Sequence, residues 1–382
     1  MILKEYLSKK PLFYEKIDYT RMPRIYDKIK LYLPVVKIIH IVGTNGKGTT
    51  GRFLASALHS TGFSTGHYTS PHILEFNERI WLNGENADYA LLENSHVELQ
   101  KILEVSDSDA LSYFEYTTLL AMIAFKECDY VVLEAGLGGE FDATAVFPKC
   151  LSIVTPIAYD HEAFLGSSIE AIATTKLNAI QNNAILGIQK YDEVYDIARK
   201  MGKEKSLNIY MVNELINDID KAKVDIISKN LSLAPYLIQN LFLSISALNF
   251  LKIKYEIADF DNARLFGRLT KIADNIIVDV GHNTLAASSI VDSLSEDKYI
   301  IIYNSYKDKN YKEILEILKP IILHVEIIEI DDERVELIEQ LQSTLIDLGI
   351  KNNIFTEIKP EYKYLVFGSF SVVEAFLREY NE

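Results

Sequence analysis

The sequence predicts an α/β protein in two parts: an N-terminal domain with a P-loop-type, mostly parallel sheet, and a second, smaller Rossmann-like α/β domain. Three observations predict it. Short β-branched runs alternate with helix-length apolar stripes, the pattern of βαβ units whose strands are buried on both faces. One run, ending in Ile38, Ile39, Ile41 and Val42, passes directly into the glycine-rich turn GTNGKGTT and then a helical stripe. The alternation breaks near residue 260 and restarts after a polar stretch, and 382 residues exceed what one hydrophobic core usually supports. The expected domains are 1–260 and 264–382.

Taken in order, residues 1–34 read as a helical lead-in, with Pro23 and Pro34 as breakers. The first strand follows, with Val35 and Val36 counted in its apolar run. In the turn after it, Gly43, Gly46 and Gly48 let the backbone bring its N–H groups against an anion. Thr49 and Thr50 suit the first turn of a helix, and Phe53, Leu54, Ala57 and Leu58 form its apolar stripe. A polyphosphate placed there meets a helix N-terminus, which favours negative charge. Lys47 neutralises the outer phosphates, and Thr49 offers a hydroxyl to a metal bound to them. The loop departs from the strict G-x-x-x-x-G-K-[ST] pattern, since Ile41 replaces the first glycine and Gly48 separates Lys47 from Thr49. The ligand implied is a nucleoside triphosphate.

A short strand then gives way to a polar loop, with Ser70, His72, Asn77, Glu78 and Arg79 as candidates at the carboxyl edge of the sheet. Helices are expected over 89–105 and 112–126. The next strand, 128–133, ends in EAGLGGEFDAT, which sets Glu134 and Asp142 around a glycine-rich turn. Glu134 is placed as P-loop enzymes place the acid that holds magnesium. A third strand, 150–156, delivers Asp160 and His161 to the same edge, and Lys176 lies in the helix expected over 168–180. Residues 183–230 read as a further strand and helix, and 231–253 as a long apolar helix carrying Gln239 and Asn240. The stretch 259–275 is the expected linker. Beyond it come strands at 276–280, 299–303, 325–330 and 364–367, and helices over 311–322, 335–348 and from Ser371. Asp279, His282 and Asn283 follow the first of these strands. As strand-end residues they are expected to contribute little to the core.

Composition narrows the classes. The chain is 48% hydrophobic and 24% charged, as an ordinary globular protein is. Its 39 basic against 54 acidic residues, a formal charge of −15, argue against a nucleic-acid partner, which needs a basic surface. The N-terminus MILKEYLSKK lacks the apolar core of a signal peptide, and Gln239, Asn240 and Asn249 interrupt the most apolar helix, so the expectation is a cytoplasmic protein with no membrane partner. Cys128 and Cys150 have neither metal-ligand spacing nor a disulfide framework and read as small buried hydrophobes.

Across nearly the whole chain the ordered motifs GTNGKGT, TSPH with FNERI, YFE, EAGLGG with DAT, DH, GR, D-x-GHN and GS resemble the folylpolyglutamate synthase and dihydrofolate synthase family, in the Mur ligase group of ATP-dependent amide-forming enzymes. The resemblance implies that Asn45, Gly46, Lys47, Gly48 and Thr49 hold ATP, with Asn240, Arg268, Asp279 and His282 completing the nucleotide site across a domain cleft. It implies Mg2+ bound by Ser70, Glu134 and His161, and a pterin pocket lined by Ser112, Tyr113, Phe114, Glu115, Phe141, Asp142 and Ala143. Lys47, Lys176, His161 and His282 are the implied catalytic residues, and Lys176 matches a lysine that in the family is carbamylated and ligates a second metal. The implied substrates are 7,8-dihydropteroate or folate, L-glutamate and ATP. Departures from the family pattern are Glu140 for arginine, Ala145 for asparagine, Thr175 and Asn178 for glutamate and glycine, and Phe266 and Thr270 for proline and glutamate.

The implied reaction activates a carboxylate as an acyl phosphate, which the amine of glutamate then converts to an amide. Two other readings compete. A Mur-type ligase for another amino acid or peptide acceptor is disfavoured by YFE and by the lack of an evident extra N-terminal domain. A nucleotide-dependent switch protein shares the phosphate loop but has no use for Asp279 and His282.

Overall fold

The computed structural model describes residues 1–11 and 18–380. Two compact units emerge, one formed by Met1–Leu233 with Leu237–Arg264, the other by Ala234–Tyr236 with Leu265–Glu382. Each has its own sheet.

The strands of the first unit are β1 (Lys37–Val42), β2 (Thr65–Tyr68), β3 (Ile80–Leu82), β4 (Glu85–Asn86), β5 (Tyr130–Glu134), β6 (Leu151–Val154), β7 (Asn183–Leu186) and β8 (Asn208–Met211). They form one 8-stranded sheet in the order β4-β3-β2-β5-β1-β6-β7-β8. From β2 to β8 every neighbouring pair is parallel. Burial explains the composition of β1, β5 and β6: all their residues but Lys37 are buried, and a strand covered on both faces cannot alternate polar and apolar residues. The sheet order brings the ends of β2, β5, β1 and β6 side by side, so the loops starting at Thr69, Ala135, Gly43 and Thr155 leave one edge together.

The structure departs from the sequence reading at several elements. The first strand begins at Lys37, and Val35 is solvent-exposed rather than part of the apolar run. The segment FNERI is a 3-10 turn, Phe76–Arg79, that leads into an antiparallel hairpin of β3 and β4 on the sheet edge. The helix expected over 89–105 ends at Ile102, and a separate short helix, Val105–Ala110, follows it. The long apolar helix is Pro235–Phe250, with the proline at its first position, where no intrahelical N–H is required.

The second unit holds β9 (Thr270–Ala273), β10 (Ile276–Asp279), β11 (Tyr299–Tyr303), β12 (Ile322–Ile327), β13 (Asn352–Ile354) and β14 (Tyr364–Phe367), ordered β13-β12-β11-β14-β10-β9. All pairs are parallel except β9 with β10. The expected linker therefore contains an edge strand, because Thr270–Ala273 pairs with β10 across the Asp274–Asn275 turn. The strand expected from Val325 starts at Ile322, and β13 carries too few apolar residues to show in the sequence pattern. One face of this sheet, through Ile301, Tyr303, Val325, Ile327, Leu365 and Phe367, packs on Ile314, Leu315 and Leu341 of the covering helices.

Candidate active site

Gly46, in the left-handed region at φ +84°, ends the loop and caps the helix Lys47–Ser60. The N–H groups of the helix's first turn, Lys47, Gly48 and Thr49, have no intrahelical acceptor by geometry and are what a helix terminus offers an anion. Thr49 is 2% exposed, and its hydroxyl oxygen has no hydrogen-bond partner, a costly arrangement unless a ligand or ion supplies one. A Cβ on Gly46 would lie 2.4 Å from Asn240 Oδ1, so Asn240, from the helix Pro235–Phe250, packs directly on the loop. Ser244, one turn later, donates its hydroxyl to the carbonyls of Thr50 and Asn240, each at 2.9 Å.

Two lysines meet at the head of the loop. Lys47 Nζ donates to the carbonyls of Gly43 and Thr44, at 3.2 and 3.1 Å, and Lys176 Nζ donates to the same Gly43 carbonyl at 2.9 Å. Lys176 is 4% exposed, and burial, together with the Lys47 charge, lowers its pKa to about 7. The sequence alone reads Lys176 as a surface lysine. Its burial comes from the glycines of EAGLGG: a Cβ on Gly139 would sit 2.8 Å from the Lys176 carbonyl oxygen, so only glycine lets this loop lie on the lysine's backbone.

Of the expected metal ligands, Ser70 and Glu134 are together. Thr69 donates its hydroxyl to Glu134 Oε2, and the Ser70 N–H lies 3.3 Å from the same oxygen. Thr69 opens the TSPH motif, but the sequence reading assigns it no role. His161 takes a left-handed φ of +52° beside Asp160, whose carboxylate accepts its N–H at 2.9 Å. Among the described residues no three His, Cys, Asp or Glu side chains form a metal-binding cluster. The expected set contains two such residues and a serine. The carboxylate of Glu134 and the unpartnered hydroxyl of Thr49 are hard oxygen donors of the kind a magnesium ion bound to phosphates takes.

Several expected pocket residues turn out to brace the site. Asp142 accepts the N–H groups of Gly136, Leu137 and Thr144, each at 2.9 Å, and the Thr144 hydroxyl. Burial raises its pKa, and these bonds oppose the shift. His40 lies behind it, with Nε2 2.7 Å from Thr144 Oγ1, and burial holds its pKa well below the usual histidine value. Glu115 accepts from Arg21 and from the Ser112 N–H, while Ser112 accepts the Glu115 N–H in a reciprocal cap of the helix Tyr113–Ala124. Both carboxylates are thereby committed to protein donors, and the contact surface left to a ligand is aromatic. Phe114 covers Gly136, Tyr113 stacks under the Arg79 guanidinium at 5.2 Å, and Phe141, 52% exposed, packs on Tyr19 at 4.6 Å. Ala143 is buried against the core. In the polar loop, Glu78 is spent on the N–H groups of Ile73, Leu74 and Glu75, whereas Arg79 reaches His72 Nδ1 at 2.7 Å.

In the second unit Asp279 is 3% exposed and accepts from the Leu269 N–H, the Gly281 N–H and the Tyr236 hydroxyl, at 2.9, 2.8 and 2.9 Å. The expectation that it contributes little to the fold fails for this reason: its carboxylate pins the 267–269 turn to β10. Arg268 donates to the Gly267 carbonyl and stacks on Phe370 at 5.3 Å, and Thr270 Oγ1 accepts the Gly267 N–H. His282 Nδ1 donates to the Val280 carbonyl, so Nε2 is the acceptor of the neutral ring.

The chain is 30% identical to the dihydrofolate synthase/folylpolyglutamate synthase of Haemophilus influenzae, over 97% of this chain and 95% of that protein. It belongs to the dihydrofolate synthase/folylpolyglutamate synthase family. A family member from Buchnera aphidicola is also 30% identical, over 98% of this chain and 95% of the relative. Among solved structures, the Helicobacter pylori folylpolyglutamate synthetase shares 40% identity at a TM-score of 0.80, covering 99% of this chain and 98% of that one. The Escherichia coli member in complex with DHPP and ADP has the same fold, with a TM-score of 0.82 at 24% identity over 100% of this chain and 98% of that one. No family model matches the chain. Among the described residues no helix is long and apolar enough to cross a membrane.

Proposed function

We propose that the chain is an ATP-dependent ligase joining L-glutamate to the carboxylate of 7,8-dihydropteroate, and also to that of folates. Full-length relatives bearing both activities in their names support this reading. The observation in the fold that carries it is the meeting of Lys47 and Lys176 on the Gly43 carbonyl, at the head of a loop whose first-turn N–H groups suit a polyphosphate. Asn45, Gly46, Lys47, Gly48, Thr49 and Asn240 hold the nucleotide, and Arg268, Asp279 and His282 contribute to its use.

In the first step an acceptor carboxylate oxygen attacks the γ-phosphorus of ATP, forming an acyl phosphate and releasing ADP. The amine of glutamate then adds to the acyl carbon, the tetrahedral intermediate expels phosphate, and the amine loses its proton. Negative charge builds on the phosphoryl oxygens during the first step. Lys47 and the first-turn N–H groups are fixed beside it, and removing one such contributor typically costs about 10² to 10³ in rate. Tyr113, Phe114 and Phe141 supply a flat apolar wall for a pterin, with Ser112, Glu115, Asp142 and Ala143 holding that wall in place. Thr49, Ser70, Glu134 and His161 are the residues to hold Mg2+, which when bound adds positive charge beside the phosphates. A carbamate formed on Lys176 would supply oxygen ligands for a second ion. The relative from Yersinia pestis solved with AMPPNP and a manganese ion supports a divalent cation in that protein.

Product analysis by mass tests the reading. With ATP, Mg2+, L-glutamate and dihydropteroate, the expected product is dihydropteroyl-glutamate with equimolar ADP. Ligation of a different amine or acceptor in its place, with none of this product, would leave only the Mur-type ligase class.

A further inference from the structure

We propose that His40 is a positioning residue of the ligase site, acting through Thr144 and Asp142 on the glycine-rich loop that follows β5. The proposal rests on the ligase reading and adds to it a residue that touches no substrate. In β1, KIIHIV, His40 stands among β-branched residues and is 0% exposed. Such a position favours Ile or Val. Among the described residues the ring's Nδ1 has no hydrogen-bond partner, which costs stability in a buried site. What the ring gains in return is one bond, 2.7 Å between Nε2 and Thr144 Oγ1.

The direction of that bond follows from its neighbour. Thr144 has a single hydroxyl proton and gives it to Asp142 Oδ1, so its oxygen accepts from His40 and the ring proton sits on Nε2. Burial, helped by the Lys149 charge, keeps the ring neutral, with one N–H to give. The opposite tautomer would turn the Thr144 proton back toward His40 and leave Asp142 Oδ1 with the Thr144 N–H alone. Asp142 passes the constraint on. Its Oδ2 accepts the N–H groups of Gly136 and Leu137, both at 2.9 Å, so one carboxylate holds the start of the loop. Further along, the Glu140 N–H donates to the Thr175 carbonyl at 3.0 Å. A Cβ on Gly136 would lie 2.7 Å from Phe114 Cζ, so any shift of these amides moves the aromatic wall proposed for the acceptor. It also moves the chain directly after Glu134. His40 fixes the carboxylate's rotation by committing the Thr144 hydroxyl to it, and bonds in such a buried chain strengthen one another.

Steady-state ligation by the full chain, read beside amide hydrogen exchange by mass spectrometry, tests this. His40→Leu removes the donor at similar volume, His40→Gln keeps an N–H near the Nε2 position, and Thr144→Val removes the hydroxyl. His40→Leu and Thr144→Val are each expected to lower kcat/KM for dihydropteroate about tenfold and to speed exchange in peptides covering 135–142. Affinity for ADP, measured by titration, should stay within about twofold of the wild type. The double change should cost no more than the larger single loss, because the two side chains act as one unit. His40→Gln should recover most of the loss. Thr144→Ser, which keeps the hydroxyl, serves the same comparison with Thr144→Val if His40→Leu does not fold. Wild-type kcat/KM in His40→Leu, additive losses in the double change, or a His40→Gln enzyme as slow as His40→Leu overturns the proposal. So does a loss of ADP affinity in step with kcat/KM, which marks a distorted β1 rather than a misplaced loop. A wild-type chain that makes no glutamyl product loses the ligase reading. In that case faster loop exchange in His40→Leu, restored in His40→Gln, still upholds the hold of His40 on the loop, and unchanged exchange overturns it.

Discussion

Lys176 is where burial makes its sharpest numerical demand. Its pKa near 7, against 10.5 for an ordinary lysine, leaves the amine roughly three-quarters neutral at about pH 7.5, where a solvated lysine is neutral about one part in a thousand. Because the folded pKa is lowered, the folded chain binds fewer protons than the unfolded chain between about pH 7 and 10.5. The burial penalty is complete below pH 7 and disappears as pH approaches 10.5, so wild-type stability relative to Lys176→Met should rise by up to about 1.4 kcal/mol per pH unit in that window. The whole span is of order 5 kcal/mol. Urea denaturation of both proteins at pH 7, 8 and 9 reads the slope directly. A difference in stability that stays flat over this range would show that Lys176 titrates like a surface lysine and refute the argument. The same neutral amine can attack carbon dioxide, forming an N–C bond and releasing a proton. With 13C-labelled bicarbonate, a carbamate carbon signal is expected in the wild type and not in Lys176→Met, together with lower ligase activity in the variant.

Gly46→Ala should lose nucleotide binding at least about a hundredfold, because φ +84° and a Cβ 2.4 Å from Asn240 Oδ1 force the loop open, the strained backbone alone costing about 1–2 kcal/mol; isothermal titration with ADP and a thermal melt measure both effects. Asp142→Asn exchanges an acceptor of four hydrogen bonds for a group with one oxygen and a competing NH2, and is expected to destabilise the first unit by roughly 2–4 kcal/mol and to slow ligation, as denaturation and steady-state rates will show. In the second unit, Asp279→Ala should lower the melting temperature by removing three hydrogen bonds to a buried carboxylate, whereas half-buried His282→Ala should melt like the wild type and lower turnover. Equal melts with wild-type kinetics in both would remove the second unit from the proposed chemistry.

The sequence by itself determined the alternation that makes two mostly parallel sheets, the phosphate loop, and which strands deliver Glu134, Asp160 and Asp279. These follow from local rules: a strand covered on both faces needs an unbroken β-branched run, and a tight turn onto a helix N-terminus needs glycine at Gly46. Short polar elements were not legible. β9 and β13 are strands because a neighbour supplies their hydrogen bonds, and the β3–β4 hairpin that follows FNERI forms the sheet edge for the same reason. Only the tertiary structure decided what each polar side chain does. Glu115 and Asp142 look like ligand contacts in one dimension, yet Arg21, 94 residues away, and the Gly136 and Leu137 amides take their oxygens. Lys176 looks solvated until the EAGLGG loop closes over it, and its pKa is set by that loop and by Lys47, 129 residues earlier in the chain (176 − 47). Hydrogen bonding and desolvation depend on distance in space, and sequence separation carries no information about either.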